Sequence, residues 1–255
     1  MKRDWWKGLV IPAVLIAAAE IAMRLSNTTS MSLAAPSDIL AALVRVLLDG
    51  SMLAATRDTL ASAGAGLLIG GLLGLLLGMI FGLMPIVNRL MEVTVETIRP
   101  IPSVAVLPIA MLVFGFGYSM EIAIVAFSCL WPVMILTRAA MAGIEPRLTE
   151  VARALRLSTA QRIVKIVLPA ALPRIMVAVR LAAAIALVVA VTVEIAANPL
   201  GLGYGILVAQ QGLQPDLMLA YLVWIGVVGW SLNAILAFAE KRLFGRAAQV
   251  EVAGA

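Results

Sequence analysis

Apolar runs without charged residues alternate with short charged clusters along most of the chain. A helix rises 1.5 Å per residue, so about 20 apolar residues cross the roughly 30 Å hydrocarbon core of a bilayer. Six runs suit this length, the third and fourth being the shortest. The pattern therefore predicts an all-α integral membrane fold, a bundle of six transmembrane helices in one domain over residues 1–255. The predicted spans are residues 6–23, 59–84, 101–116, 122–137, 175–197 and 217–239.

The basic residues predict which side of the membrane each connection faces. If the N-terminus lies in the cytoplasm, three of the 19 lysines and arginines fall outside, namely Arg24, Arg45 and Arg57. The other 16 fall inside, which is the bias that cytoplasmic loops show. We therefore expect both termini in the cytoplasm and a long cytoplasmic loop at 138–173. The basic N-terminus resembles a signal peptide, but the apolar run continues past Glu20, which favours a retained first span.

The composition excludes several classes of protein. The chain is 63% hydrophobic and 13% charged, against roughly 45–50% and 25% in soluble domains. It has no histidine and one cysteine, Cys129, so no set of residues suits nucleophilic or metal chemistry. We expect a non-catalytic chain without a metal or resident cofactor. The net charge of +5 lies largely on loops, so the expected contact is lipid rather than nucleic acid.

Two local patterns predict further packing features. Residues 37–48 place apolar side chains at helical spacing, with Ser37 or Asp38 as the cap, and predict a helix that covers the outer surface. Span 2 carries a glycine every fourth residue, which forms one stripe along a helix and allows a neighbouring backbone to approach closely. We interpret the stripe as a packing face rather than a substrate contact. It consists of Gly66, Gly70, Gly74, Gly78 and Gly82.

The long cytoplasmic loop predicts two helices. The first begins near Pro146 and runs to about Leu155, with apolar residues among arginines. The second begins at Ser158, which forms a capping box with Gln161, and ends before Pro169. From composition alone, the first helix suits either a groove on a partner protein or a phospholipid surface.

A few polar residues within the spans are candidates for the translocation pathway. Glu194 lies near the outer end of span 5, where a gate or an interhelix hydrogen bond is a better explanation than substrate contact. Arg180 lies 14 residues earlier on a similar side, about 21 Å away along the helix. We expect it at the inner interface or paired with Glu92 or Glu96. Weak pathway contacts are expected from the hydroxyl groups of Ser103, Ser128 and Thr192.

Several motifs resemble one known family. Residues 150–152 (Glu-Val-Ala) and 166–169 (Ile-Val-Leu-Pro) resemble the EAA loop of ABC importer permeases. Residues 98–102 (Ile-Arg-Pro-Ile-Pro), 114–117 (Phe-Gly-Phe-Gly) and 201–204 (Gly-Leu-Gly-Tyr) resemble its nitrate, taurine and alkanesulfonate branch. The resemblance extends over about residues 53–245.

The resemblance implies an assembly in the bacterial inner membrane. Two permease subunits, expected to be identical, form the pathway, and two cytoplasmic ATPases bind ATP and Mg²⁺. An extracytoplasmic binding protein delivers the solute, for which a small anion such as a sulfonate, taurine or nitrate is the first expectation. A pyrimidine or vitamin precursor is the alternative, and an ion-coupled secondary transporter is a lesser one. The coupling helix that contacts the ATPase would include Glu150, Val151, Ala152, Ala154, Leu155 and Arg156.

The chain departs from the family at two positions. Arg156 stands where the family has glycine, and arginine costs about 1 kcal/mol in a left-handed turn. The turn therefore differs from the family's, or the first helix runs on. Ser62 stands where the family tends to have arginine near the start of span 2.

Overall fold

The computed structural model of the protein describes residues 7–26, 33–144 and 146–244. Every regular element in this part of the chain is helical. The helices are α1 (Lys7–Ser26), α2 (Pro36–Leu48), α3 (Ser51–Leu83), α4 (Pro85–Ile98), α5 (Leu107–Phe114), α6 (Tyr118–Ala142), α7 (Pro146–Ala154), α8 (Thr159–Arg162), α9 (Leu168–Ala196), α10 (Gly201–Gln211) and α11 (Pro215–Phe244). A 3-10 turn at Ser103–Val106 precedes α5, and a π turn at Ile163–Val167 joins α8 to α9.

In the described part of the chain, four helical segments are long and apolar enough to cross a membrane. They are α3, α6, the continuous helix Ile163–Ala196 and the residues Pro215–Arg242 of α11. A fifth crossing arises if α4 and the segment Ser103–Phe114 count as one span bent by 81°. The predicted first span corresponds to α1, a helix of 20 residues. The count of six spans stays a prediction.

Prolines account for two differences from the predicted elements. Within the predicted span 101–116, the helical segment is Ser103–Phe114, which starts as the 3-10 turn, continues as α5 and is bent by 81° from α4. Pro100 and Pro102 lack the N–H that a helix needs, and they disfavour a helical conformation in the residue before them. The predicted end of the second loop helix before Pro169 was wrong, since the helix continues through the π turn into α9. The π turn includes Lys165, the residue whose carbonyl would face the Pro169 ring in a regular α-helix, and it marks an irregularity at this point.

The two most extensive helix–helix contacts of the bundle, α3 with α6 and α6 with α9, are made through small residues. Gly66, Gly70, Gly74 and Gly78 of α3 are buried against α6. A Cβ added at Gly70 would lie 2.1 Å from the carbonyl oxygen of Ala126. The backbones of α3 and α6 are therefore in direct contact. On the other side of α6, the apolar core is completed by three alanines of α9, one per turn: Ala182, Ala186 and Ala190.

The short helix α2 is held at its N-terminus by α1. We predicted Ser37 or Asp38 as the cap of α2, which was wrong: the capping position is Ala35, and Pro36 is the first helical residue. The carboxylate of Glu20 instead accepts hydrogen bonds from the Ser37 N–H at 3.0 Å and the Ser37 hydroxyl at 2.8 Å. A residue from another helix thus satisfies an N–H that the sequence suggested would be capped locally.

The loop between α2 and α3 shows a local cap. Asp49 accepts hydrogen bonds from the N–H of Ser51 at 2.8 Å and from its hydroxyl at 2.6 Å. These two donors lower the pKa of Asp49 below its usual value. Gly50 has a φ of 79° between them, and α3 begins at Ser51.

Candidate functional site

The helix α7 offers an exposed surface between α6 and α8. Glu150, Ala154 and Arg156 are exposed, and Leu155 is 64% exposed although it is a large apolar residue. We expected Ala152 to be exposed on the same surface, which was wrong, because it is 1% exposed. The side chain of Val151, also assigned to this surface, lies outside the described part of the chain. The exposed surface therefore centres on Leu155.

A tight turn ends α7 and fixes the direction of the chain. Arg156 has a φ of 51°, in the left-handed region, and the N–H of Leu157 donates to the carbonyl of Ala152 at 3.1 Å. A left-handed residue with this hydrogen bond is the Schellman arrangement that usually uses glycine. The helix therefore ends, as it would with glycine, and Arg156 bears the conformational cost.

The capping box predicted after this turn is confirmed. The N–H of Ser158 donates to the side-chain oxygen of Gln161 at 3.1 Å, and the N–H of Gln161 donates to the Ser158 hydroxyl at 3.3 Å. A Schellman turn followed at once by a capping box leaves little freedom between α7 and α8. The exposed Leu155 is thus presented on a short, well-defined corner.

Five polar side chains meet in the core at one end of the bundle, and each of them is at most 2% exposed. Ser62 donates its hydroxyl to one carboxyl oxygen of Glu121, and Asn198 donates its amide to the other. Glu121 and Glu194 are also close enough to interact with each other. We call these residues, which join α3, α6 and α9, the buried polar cluster. Its members are Thr59, Ser62, Glu121, Glu194 and Asn198.

The buried polar cluster also caps α10. The N–H of Gly203 donates to Glu194 Oε2 at 2.7 Å, and the N–H of Leu202 donates to Thr59 Oγ1 at 2.9 Å. Both are first-turn donors that have no partner within their own helix, and a carboxyl group suits the positive end of the helix dipole. A Cβ at Gly201, where φ is 87°, would lie 2.0 Å from Glu194 Oε1. This position therefore requires glycine.

Sequence reasoning missed Glu121, and the way in which spans are recognised explains the omission. The predicted fourth span begins at residue 122, directly after Glu121, because we used this charged residue as the span's boundary. In the structure α6 begins four residues earlier, at Tyr118, so Glu121 lies in its first turn and is fully buried. A single carboxyl group at the start of an otherwise uncharged run of 20 residues was the available signal.

Arg180 lies apart from this cluster and faces α11. Its Nε donates to Asn233 Oδ1 at 2.8 Å, and its Nη1 lies 3.6 Å from Glu240 Oε2. The expected pairing with Glu92 or Glu96 was therefore wrong. The reason is topological: this face of α9 lies against α11, and α4 belongs to a different part of the bundle, where it precedes the segment Ser103–Phe114.

A cavity of about 410 Å³ separates α9 from α11, with Arg180 and Asn233 at one end. Thr192 lines the same cavity about 18 Å further along α9, at 1.5 Å per residue. The other lining side chains described are aliphatic, alanine or glycine. Such a volume is within the range of small-ligand pockets, roughly 300–1,000 Å³.

The remaining hydroxyl candidates do not converge on one site. Ser128 donates to the carbonyl of Ile124 at 2.8 Å, and Thr192 donates to the carbonyl of Val188 at 2.7 Å, each within its own helix. Ser103 is half-buried in the 3-10 turn before α5. Of the candidates from the sequence, Arg180 and Thr192 share a cavity. Among the described residues, no group of three His, Cys, Asp or Glu side chains could hold a metal ion.

Comparison with known proteins finds one matching family and several similar proteins. Residues 70–247 match the family described as the binding-protein-dependent transport system inner membrane component. The putative aliphatic sulfonates transport permease protein SsuC of Bacillus subtilis (strain 168) is 31% identical over 239 residues, which cover 94% of this chain and 87% of that protein. The taurine transport system permease protein TauC of Escherichia coli (strain K12) is 28% identical over 162 residues, 64% of this chain and 59% of that protein.

A solved structure shares the fold. The inward-facing MetNI methionine ABC transporter includes a chain that matches with a TM-score of 0.65 at 21% identity. The match covers 85% of this chain and 99% of that one. At this identity the similarity shows a common arrangement of helices.

Proposed function

Because the chain belongs to the family of binding-protein-dependent transport system inner membrane components, we propose that two copies of it form the pathway for a small organic anion. The chain is a multi-pass, inner-membrane permease subunit of an ABC importer, of the sulfonate and taurine type. In our proposal both termini face the cytoplasm and the two permease subunits are identical. Two separate ATPase subunits bind ATP and Mg²⁺ and hydrolyse the ATP, while an extracytoplasmic binding protein delivers the solute.

The solute class is proposed from the relatives. The names of SsuC and TauC give aliphatic sulfonates and taurine as what those proteins transport. Both solutes carry a sulfonate group, so we propose an organosulfonate as the first solute to test. A pyrimidine or vitamin precursor, our alternative from the sequence, has no support among these relatives.

The exposed corner around Leu155 carries the proposed coupling function. It lies on the predicted cytoplasmic side, between two of the four apolar segments long enough to span. A large apolar side chain that is 64% exposed beside Glu150 and Arg156 suits a groove on a partner protein. We propose that α7 docks into the ATPase and that the rigid turn after it transmits movement to α9 through α8 and the π turn.

A pair of truncations tests this coupling. Leu155→Ala removes the apolar side chain from the proposed groove, and Leu90→Ala removes the same side chain, 74% exposed, from α4, which has no part in the proposed coupling route. We expect Leu155→Ala to weaken co-purification of the ATPase and to reduce ATP-dependent ethanesulfonate uptake in proteoliposomes at least tenfold, because anchor residues carry most interface energy. Leu90→Ala should retain both activities.

Two results would overturn the proposal. If both variants bind the ATPase and transport like the parent, α7 is not the coupling helix. If the complete importer takes up neither an aliphatic sulfonate nor taurine from its binding protein, the proposed solute class is wrong.

A further inference from the structure

The cavity between α9 and α11 has one charged end and apolar walls. Arg180 and Asn233 form the charged end, and Leu187, Val191 and Leu236 are among the aliphatic side chains along the rest. The only other polar side chain described in the lining is Thr192, whose hydroxyl already donates to the backbone of its own helix. The lining described in the structure includes no carboxylate and no aromatic ring.

The guanidinium group of Arg180 has donors to spare. It makes one hydrogen bond, to Asn233, and its separation of 3.6 Å from Glu240 exceeds a hydrogen-bond length. An arginine carries five N–H donors in a planar fork that matches the oxygens of an anion. The other N–H groups of Arg180 have no hydrogen-bond partner in the described part of the chain and are available at the end of the cavity.

A charged residue within a span is costly and usually serves a water-filled path or a ligand. Arg180 lies on α9 inside the predicted span 175–197, and its side chain is 40% exposed rather than enclosed by partners. Its pairing with Glu240 is long, and therefore offsets little of this cost. These observations favour a ligand that brings its own negative charge.

We propose that this cavity binds an aliphatic sulfonate on the transport pathway, with the sulfonate on Arg180 and Asn233 and the alkyl chain along Leu187 and Val191. This inference rests on the proposed function. It narrows the proposed solutes from organosulfonates in general to aliphatic sulfonates, without taurine. Taurine is nearly isosteric with propane-1-sulfonate but has an ammonium group in place of the terminal methyl. That ammonium would lie against aliphatic walls without a partner, so the cavity selects against taurine.

A direct binding experiment measures whether the cavity prefers propane-1-sulfonate to taurine. The probe is radiolabelled hexane-1-sulfonate, bound to the purified permease–ATPase complex in nanodiscs of zwitterionic lipid without the binding protein. Unlabelled propane-1-sulfonate and taurine are the competitors. Each buried methylene strengthens binding about fourfold, so hexane-1-sulfonate, which has three more methylenes, should bind about 60-fold more tightly than propane-1-sulfonate. Propane-1-sulfonate should compete at least tenfold better than taurine; equal competition by the two would overturn the proposal.

Matched variants locate the site. Arg180→Gln should weaken binding at least tenfold, whereas Arg138→Gln, which breaks a comparable pair with Asn88 at 3.0 Å on another surface, should change it less than twofold. Gly229→Leu fills the cavity, since its first added carbon would lie 3.3 Å from Leu187. Gly226→Leu places the same side chain where nothing lies within 4 Å and should have no effect. Equal effects within either pair would overturn the proposal.

The variant Glu240→Gln distinguishes anion binding by Arg180 from a purely structural role of the pair Arg180–Glu240. If the pair only stabilises α9 against α11, removing either partner should weaken binding. If Arg180 binds the anion, removing the competing carboxylate should tighten hexane-1-sulfonate binding several-fold. Weaker binding in Glu240→Gln would contradict the proposal.

Three further outcomes identify the source of failure. If phosphatidylglycerol displaces the probe, and native mass spectrometry finds that lipid retained by the parent and lost in Arg180→Gln, the cavity is a lipid site and the proposal is wrong. If the complete importer takes up sulfonates normally in both Arg180→Gln and Gly229→Leu, this inference fails while the proposed function stands. If the parent importer takes up no sulfonate, the proposed function itself fails.

Discussion

The contact between α3 and α6 makes a prediction about two adjacent glycines. Gly70 faces α6, where an added Cβ would lie 2.1 Å from the carbonyl oxygen of Ala126 and 2.8 Å from its Cα. Gly71 follows it on the same helix, and nothing lies within 4 Å of a Cβ at that position. We predict that Gly70→Ala destabilises the protein and that Gly71→Ala does not.

The magnitude follows from the geometry. An ordinary van der Waals contact begins at 3.4 Å, so the Ala126 oxygen and the new Cβ must separate by about 1.3 Å (3.4 minus 2.1). The obstructing atoms belong to a backbone, which cannot rotate away as a side chain would. Overpacking of this kind costs about 1–3 kcal/mol, and we expect the upper half of that range. Replacing glycine by alanine also favours the helix, but this gain of up to about 1 kcal/mol is common to both variants and cancels in their difference.

The assay is the free energy of unfolding of the purified permease, measured by SDS titration in mixed micelles with circular dichroism as the signal. We expect Gly70→Ala to be less stable than Gly71→Ala by about 2–3 kcal/mol. Gly64→Ala, a second site with nothing within 4 Å, should resemble Gly71→Ala. If Gly70→Ala and Gly71→Ala unfold with equal free energies, the α3–α6 backbones are not in contact at Gly70 and our explanation of the glycine stripe is wrong.

Three other tests, which use four variants, address separate parts of the structure. Arg156→Gly should stabilise the α7–α8 turn by about 1 kcal/mol, seen as slower amide exchange there, and a loss of stability would contradict the left-handed turn. Thr59→Val keeps the side-chain shape but leaves the N–H of Leu202 without its acceptor, so unfolding should become easier by about 1–3 kcal/mol in the same titration. A cysteine at Gln214 should react with an impermeant maleimide in intact cells, and one at Ser158 only after permeabilisation; reaction of both in intact cells would refute the topology.

Some of the site was predictable from the sequence because the relevant interactions are local. The capping box at Ser158 and Gln161 needs only residues three apart, and the exposed Leu155 follows from an apolar residue among arginines. The bend of 81° between α4 and the segment Ser103–Phe114 could not be recognised in this way. Residues 101–116 carry no charge, and our search for gaps between charges ignored the effect of Pro100 and Pro102 on the backbone.

The amino-acid sequence by itself determined the membrane environment, the helical class and the family, because hydrophobicity, helical periodicity and short motifs are properties of consecutive residues. The tertiary structure alone decided the partners of the polar residues. Glu121 and Asn198 are 77 positions apart, Thr59 and Leu202 143 apart, and Arg180 and Asn233 53 apart. A buried polar group must find a hydrogen bond, but the chain supplies many candidates for each one. Only the packing of α3, α6, α9 and α11 brings one of them within reach, and that packing forms the cavity in which we place the sulfonate.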